Sequence, residues 1–186
     1  MAEIRSEPQW RSVAENRSCG SCYACCVYLG IEELQKWTGE KCQHLKGPAG
    51  GSKRCKIYAR RPTACSGYKC MWLQGYGPEE LKPSRSGILL TGYESEANPG
   101  SPAVTAVVFD NDKALPILND TIKELISLPN VEVRCVNWTN KTGMLFVNGK
   151  IYECKLLPPT GWESLNFEAA EPPIGKYRVE ITEKGE

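Results

Sequence analysis

The sequence predicts an α+β fold: a small, loop-rich cysteine module with short helices, followed by a mostly antiparallel sheet with one long helix. Three observations predict it. Eight of the ten cysteines fall between Cys19 and Cys70. Aliphatic periodicity is sparse in the first part and strong after residue 86. Charge divides the same way, with 12 Lys+Arg against 6 Asp+Glu in residues 1–75 and 11 against 16 in residues 76–186. The chain of 186 residues is 41% hydrophobic and 24% charged, ordinary for a folded domain, which argues against a disordered or fibrous chain. No run approaches the ~20 apolar residues of a membrane helix. The opening MAEIRSEPQWRS has no apolar stretch of the secretory kind. A cytoplasmic location without a membrane partner is therefore expected. In that compartment dense cysteine points to metal or redox chemistry rather than to disulfides.

The elements follow in order. In the first part, Ile31–Trp37 reads as a short helix with Ile31 and Leu34 on one face. Thr38 to Arg54 is loop, marked by Gly39, Gly47, Pro48, Gly50 and Gly51. Met71-Trp72-Leu73 continues as a turn of helix after Cys70. The join falls at Gly75–Ser86, where Gly75, Gly77, Pro78 and Pro83 cluster, giving a module over 1–86 and an α+β region over 87–186. Aliphatic residues are too few in the module for a good core, and a bound metal is the usual substitute. In the second part, Gly87–Tyr93 and Ala103–Phe109 read as strands. Asp110-Asn111-Asp112 reads as a strand-to-helix turn, since no glycine and distal glutamate follow at calcium-loop spacing. Leu118, Ile122, Leu125 and Ile126 keep the spacing of a buried helix face, and Pro129 stops that helix. Val131–Trp138 reads as a strand with Val131, Val133 and Cys135 on one face. Met144–Val147 and Lys150–Leu156 flank Asn148-Gly149, a two-residue hairpin signal. Tyr177–Thr182 alternates and reads as a last strand.

The cysteines carry the chemistry. They run Cys19-x2-Cys22-x2-Cys25-Cys26, then Cys42, Cys55, Cys65 and Cys70. A pair at x2 spacing lets one turn aim two thiolates at one ion, and the repeated x2 run also opens ferredoxin-type motifs for a [4Fe–4S] cluster. Adjacent Cys25 and Cys26 do not point the same way in extended chain, so they serve different centres, or one of them packs. Eight thiols make two four-ligand sites, or one cluster with spares. Buried thiols that merely pack are the bland reading, and repeated x2 spacing argues against it. Cys135 and Cys154 sit singly in strands and read as core. His44 is either a zinc ligand or a loop residue. Lys53, Arg54, Lys56, Arg60, Arg61 and Lys69 surround the later cysteines, where cations offset thiolate charge. The alternatives are a merely solvated basic loop or, with Tyr58, Tyr68, Trp72 and Tyr76 as stacking candidates, a nucleic-acid footprint, which the modest net basicity disfavours.

The Cys19–Cys26 run resembles the signature of the CxxCxxCC cysteine-cluster family (the YkgJ type), whose domain is described as zinc- or iron-chelating. A second element agrees: Cys55-Lys56-Ile57-Tyr58-Ala59-Arg60-Arg61-Pro62-Thr63-Ala64-Cys65 is similar to the family's order of Cys, an aliphatic-aromatic pair, Arg-Pro and Cys. Cys42-Gln43-His44-Leu45 is similar to its middle segment. The likeness runs from Cys19 to Trp72. It departs at Ser66, where the family often has Arg, and at Tyr68-Lys69, where it often has an aromatic-Pro pair. It implies chelation of zinc or iron by these cysteines. It also implies a link to protein lysine methylation, because flagellin lysine N-methylases carry a similar cluster. No Gly-rich nucleotide loop and no radical-type Cys-x3-Cys-x2-Cys spacing accompany it. Three functions go forward: a metal-chelating protein; a metal- or Fe–S-dependent enzyme acting on a protein substrate; and an adaptor for protein or nucleic acid.

Overall fold

The structure, a computed structural model, describes residues 13–46, 55–95, 99–157, 167–170 and 172–176. Among these residues, four helices and seven strands form an α+β fold. They are α1 (Ala24–Tyr28), α2 (Thr63–Gly67), α3 (Pro83–Ser86) and α4 (Asn111–Ser127), with β1 (Ile88–Glu94), β2 (Pro102–Val108), β3 (Glu132–Asn137), β4 (Thr142–Val147), β5 (Lys150–Leu156), β6 (Phe167–Ala169) and β7 (Gly175–Lys176).

The sheet runs β1-β2-β3-β4-β5-β6, with β7 also on β5. Every pairing is antiparallel except β2 with β3, which α4 joins as a parallel crossover. The sheet is therefore mixed around its second and third strands. The β4–β5 turn falls at Asn148-Gly149, and both residues take positive φ, 50° and 72°, the backbone of a two-residue hairpin. Asp110 caps α4 by accepting from the Lys113 amide at 3.3 Å. The helix then runs through Pro116, which cannot donate to the Asp112 carbonyl, so it starts earlier than its apolar spacing suggests. It ends at Ser127, two residues before Pro129. The Tyr177–Thr182 strand lies outside the described residues.

Alternation along β1 and β2 gives the sheet two covered faces. On one, Ile88, Leu90, Val104, Ala106, Val108, Val133 and Phe146 pack against Ala114 and Leu125 of α4. Cys135 packs against this core, and Cys154 is buried, as expected of isolated strand cysteines. Met71, Trp72, Leu73 and Leu81 join the same core from the N-terminal part. On the opposite face Leu89 and Val107 form a small cluster with Ala24 of α1, and Cys22 and Cys70 pack against it.

Local readings of the N-terminal part change. Ile31–Trp37 is not a helix. Only Glu32–Leu34 forms a 3₁₀ turn. Gln35 then takes a left-handed backbone at φ 48°, and Lys36 returns to bridge Ile31. Met71–Leu73 is a single hydrogen-bonded turn, with Gln74 N donating to the Cys70 and Met71 carbonyls at 3.2 and 3.1 Å. Gly87 closes α3 at φ +67°, where a Cβ would stand 2.5 Å from the Asp110 carbonyl oxygen. Only glycine fits that crossing of chain over chain.

Candidate metal centre

The first cysteines are carried by a turn and a helix. Cys22 N donates to the Cys19 carbonyl at 2.8 Å, closing the first Cys-x2-Cys turn. Cys26 N donates to Tyr23 O at 2.9 Å, and α1 places Cys25 and Cys26 on consecutive helical positions. A five-residue helix is weak alone, and two devices hold it. Tyr28 stacks on Phe109 with ring centroids 4.7 Å apart and meets Trp138 edge-on at 5.7 Å. The buried Lys36 ammonium donates to the carbonyls of Val27 (3.0 Å), Leu29 and Trp37 (3.2 Å). All three ammonium protons are so used. Burial pulls the Lys36 pKa down, while Cys42, Cys26, Glu40 and Cys25 act against that shift.

The later cysteines are tied in by backbone. Cys42 N donates to the Cys26 carbonyl at 2.9 Å. Leu45 and Cys55 form a bridge, with Lys56 N on His44 O at 2.8 Å. Cys65 rides on α2, whose N-terminal Thr63 amide donates to the Glu33 carboxylate at 3.2 Å. Cys70 is held against β1 by Met71 N on Leu90 O at 3.0 Å and by Tyr68 Oη with Thr91 Oγ1 at 2.8 Å.

All ten cysteines are free thiols. Each of those from Cys19 to Cys70 bears electrostatically on, or is acted on by, at least one other. Burial raises the Cys19 pKa, helped by Cys22 and Cys26 and opposed by Arg61 and Lys82. A hydrogen bond with Cys26 raises Cys25 well above the usual thiol range, followed by burial and by Cys26, Cys19 and Cys22. Burial raises Cys65, with Cys26, Cys42 and Cys55 adding and Arg61 opposing. Burial lifts Cys70 to about 11, with Cys22 and Cys19 contributing. Every one of the eight cysteines expected to bind metal enters this network. The side chains do not close on a point, however: among the described residues, no three Cys, His, Asp or Glu side chains are grouped so as to hold one ion. The donor chemistry suits a thiophilic metal, and seating one requires the thiols to turn.

Of the basic residues, Lys53 and Arg54 lie outside the described residues. Arg61 is fixed, its Nε donating to Tyr58 O at 3.1 Å and its guanidinium 3.9 Å over the Tyr58 ring. It bears on both Cys19 and Cys65. Lys82 lies 4.8 Å over the Trp72 ring and bears on Cys19. Of the four aromatic rings considered for base stacking, Tyr58 is 63% exposed, whereas Trp72 is 3% exposed and Tyr68 and Tyr76 pack inward. His44 sits half-buried beside the Leu45–Cys55 bridge. The sequence gives no sign of Lys36 or Lys82. Neither belongs to a cysteine motif, and no local pattern marks a lysine for burial or ring contact.

Fold and site together define an α+β protein with free thiols on its loops and short helices, two of which, Cys22 and Cys70, pack against one face of its sheet. No family model, curated protein or solved structure matches this chain, so the likeness to the CxxCxxCC family rests on its two cysteine motifs. Among the described residues no helix is long and apolar enough to cross a membrane.

Proposed function

We propose that this protein chelates a thiophilic metal, zinc or an iron centre, through Cys19, Cys22, Cys25, Cys26, Cys42, Cys55, Cys65 and Cys70. One observation carries the reading: free cysteines from separate stretches of chain are tied to one another by backbone and packing, Cys22 to Cys19, Cys42 to Cys26, and Cys22 with Cys70 on one cluster. Packing alone gives thiols no reason to meet, since a buried thiol does as well against leucine. Left protonated, such a group gains little. Exchange of its protons for a cation gives charge compensation and cross-links loops that have few aliphatic residues. Arg61 and Lys82 offset part of the negative charge that thiolate ligation leaves.

The test is anaerobic purification of the full chain, followed by measurement of zinc, iron and acid-labile sulfide. Stoichiometric zinc, or iron with sulfide, is expected. A folded, metal-free protein whose eight thiols titrate freely, and which takes up neither zinc nor iron when supplied, would overturn it.

A further inference from the structure

The balance of +1 over the whole chain hides a stretch of one sign. Residues 41–78 hold eight Lys+Arg and no Asp or Glu. The fold draws several of the exposed ones together. Leu45 and Cys55 pair as an antiparallel bridge, and the Lys56 amide donates to the His44 carbonyl at 2.8 Å. Side chains alternate across such a pairing. Leu45 turns inward and is buried, which leaves Lys46 and Lys56 on the outer side, both exposed. The chain then enters the 3₁₀ turn Tyr58–Arg60, where residues three apart eclipse. Arg61 accordingly lies 3.9 Å over the Tyr58 ring, pinned there by its Nε donating to the Tyr58 carbonyl. Tyr58 enters neither apolar cluster and is 63% exposed. Among the described residues, Lys46, Lys56, Arg60 and Arg61 make no ion pair. The carboxylate that borders them, that of Glu33, is engaged by the Thr63 amide at 3.2 Å.

We propose that this surface, made of Lys46, Lys56, Tyr58, Arg60 and Arg61, binds single-stranded nucleic acid. It goes beyond chelation and uses no cysteine. Cations set along the paired loops and the turn suit a chain of phosphates, whose counterions they displace. The exposed phenol ring, backed on one face by a guanidinium, offers the other face to an unpaired base. That ring separates the reading from bare charge. An acidic peptide would use the cations and leave Tyr58 idle. A duplex would do the same, because its bases are already stacked on one another. Trp72, Tyr68 and Tyr76 pack inward, so one base is stacked and sequence preference is slight.

The test is fluorescence anisotropy of a labelled oligouridylate with the full chain. Binding is expected at about 50 mM salt. Four phosphate contacts give a slope of about −3 in log affinity against log salt, so affinity should fall roughly 50-fold by about 200 mM. Tyr58→Ala should weaken binding about tenfold, and Tyr58→Phe should not. Lys56→Ala/Arg60→Ala should flatten the slope to about −1.4. These three positions are exposed, so the variants should melt as the unmodified chain does. Absence of binding at about 50 mM salt, or an affinity indifferent to salt, would overturn the proposal in the unmodified chain alone. So would equal binding of polyglutamate or of a duplex, or a Tyr58→Ala variant that binds as before, since each leaves only charge. Metal content should be the same in every variant, so the fate of this surface is read separately from that of chelation.

Discussion

Leu89 and Leu90 are neighbours on β1, exposed by 1% and 2%, and they face opposite sides of the sheet. Truncating each to alanine removes the same atoms from two different surroundings. Loss of three buried carbons costs roughly 2.4 kcal/mol at ~0.8 kcal/mol per methylene, and a residual cavity adds to that. Around Leu90 the α4 core is extensive and relaxes little, so Leu90→Ala should cost about 4 kcal/mol. Around Leu89 the cluster is small and bordered by half-buried Cys22, Tyr28, Leu29 and Cys70, so partial collapse should hold Leu89→Ala nearer ~3 kcal/mol. Against a total of ~5–15 kcal/mol both variants should stay folded. Urea unfolding with m of about 2 kcal/mol/M should show midpoints lowered by roughly 1.5–2 M. Their metal behaviour should differ. Leu89 seats two of the proposed ligands, so Leu89→Ala should lose zinc to a competing chelator about tenfold more readily, and Leu90→Ala should not. Equal zinc retention in the two variants would refute a role for Leu89 in seating Cys22 and Cys70 as ligands. A Leu89→Ala cost below ~1 kcal/mol would refute the packing argument.

Three further outcomes are expected. Glu132, 4% exposed, accepts from Ser95 Oγ at 2.8 Å and Arg134 Nε at 2.5 Å; Glu132→Ala should cost about 3–5 kcal/mol by urea titration, and Glu132→Ala with Arg134→Met should recover much of it. Burial lifts the Cys135 thiol from 9.0 to about 11. Because the folded value is the higher, its contribution is whole below the unfolded pKa and fades as pH climbs through the folded one. Stability should therefore fall by roughly 2–3 kcal/mol more than in Cys135→Ala between about pH 8 and 12, and matching pH profiles would contradict this. Lys36→Met should strip the carbonyls of Val27, Leu29 and Trp37 of their shared donor. That should loosen α1 in hydrogen exchange and weaken the proposed chelation, since α1 carries Cys25 and Cys26; unchanged exchange in α1 would sink it.

Legibility follows the range of the signals. Period-2 patterns and Asn148-Gly149 mark the strands well because they are local. The parallel β2–β3 pairing is harder to read because strand patterns carry no direction. One trace of it exists: Pro102–Val108 is apolar almost throughout and buried from Ala103 onward, as a strand covered on both faces must be. Together with the helix before β3, that run argues for a crossover. Helix α1 is invisible in the sequence because five residues holding two cysteines and a valine have no helical signature of their own. Its support comes from Lys36, Phe109 and Trp138, outside the helix itself. The sparse aliphatics of the first part mislead in a similar way, since Met71, Trp72, Leu73 and Leu81 need no core of their own when they enter that of the sheet.

Backbone and packing tie some of the spaced cysteines together, although among the described residues no three ligating side chains are grouped around one point. A Cys-x2-Cys-x2-Cys-Cys run in isolation could fold its first three thiols onto one ion and leave the fourth idle. Here the backbone bond from Cys42 to Cys26 draws the second loop to α1, while Leu89 and Val107 hold Cys22 and Cys70 at the sheet. Arg61, locked between the Tyr58 ring and carbonyl, bears on both Cys19 and Cys65. A single guanidinium shared in this way opposes the rise in pKa of both thiols, although they stand on different stretches of chain. Lysine in its place would keep the charge and lose the planar fork that fixes it there. The arginine before Pro62 thus links Cys19 and Cys65 through charge, although they lie far apart along the chain.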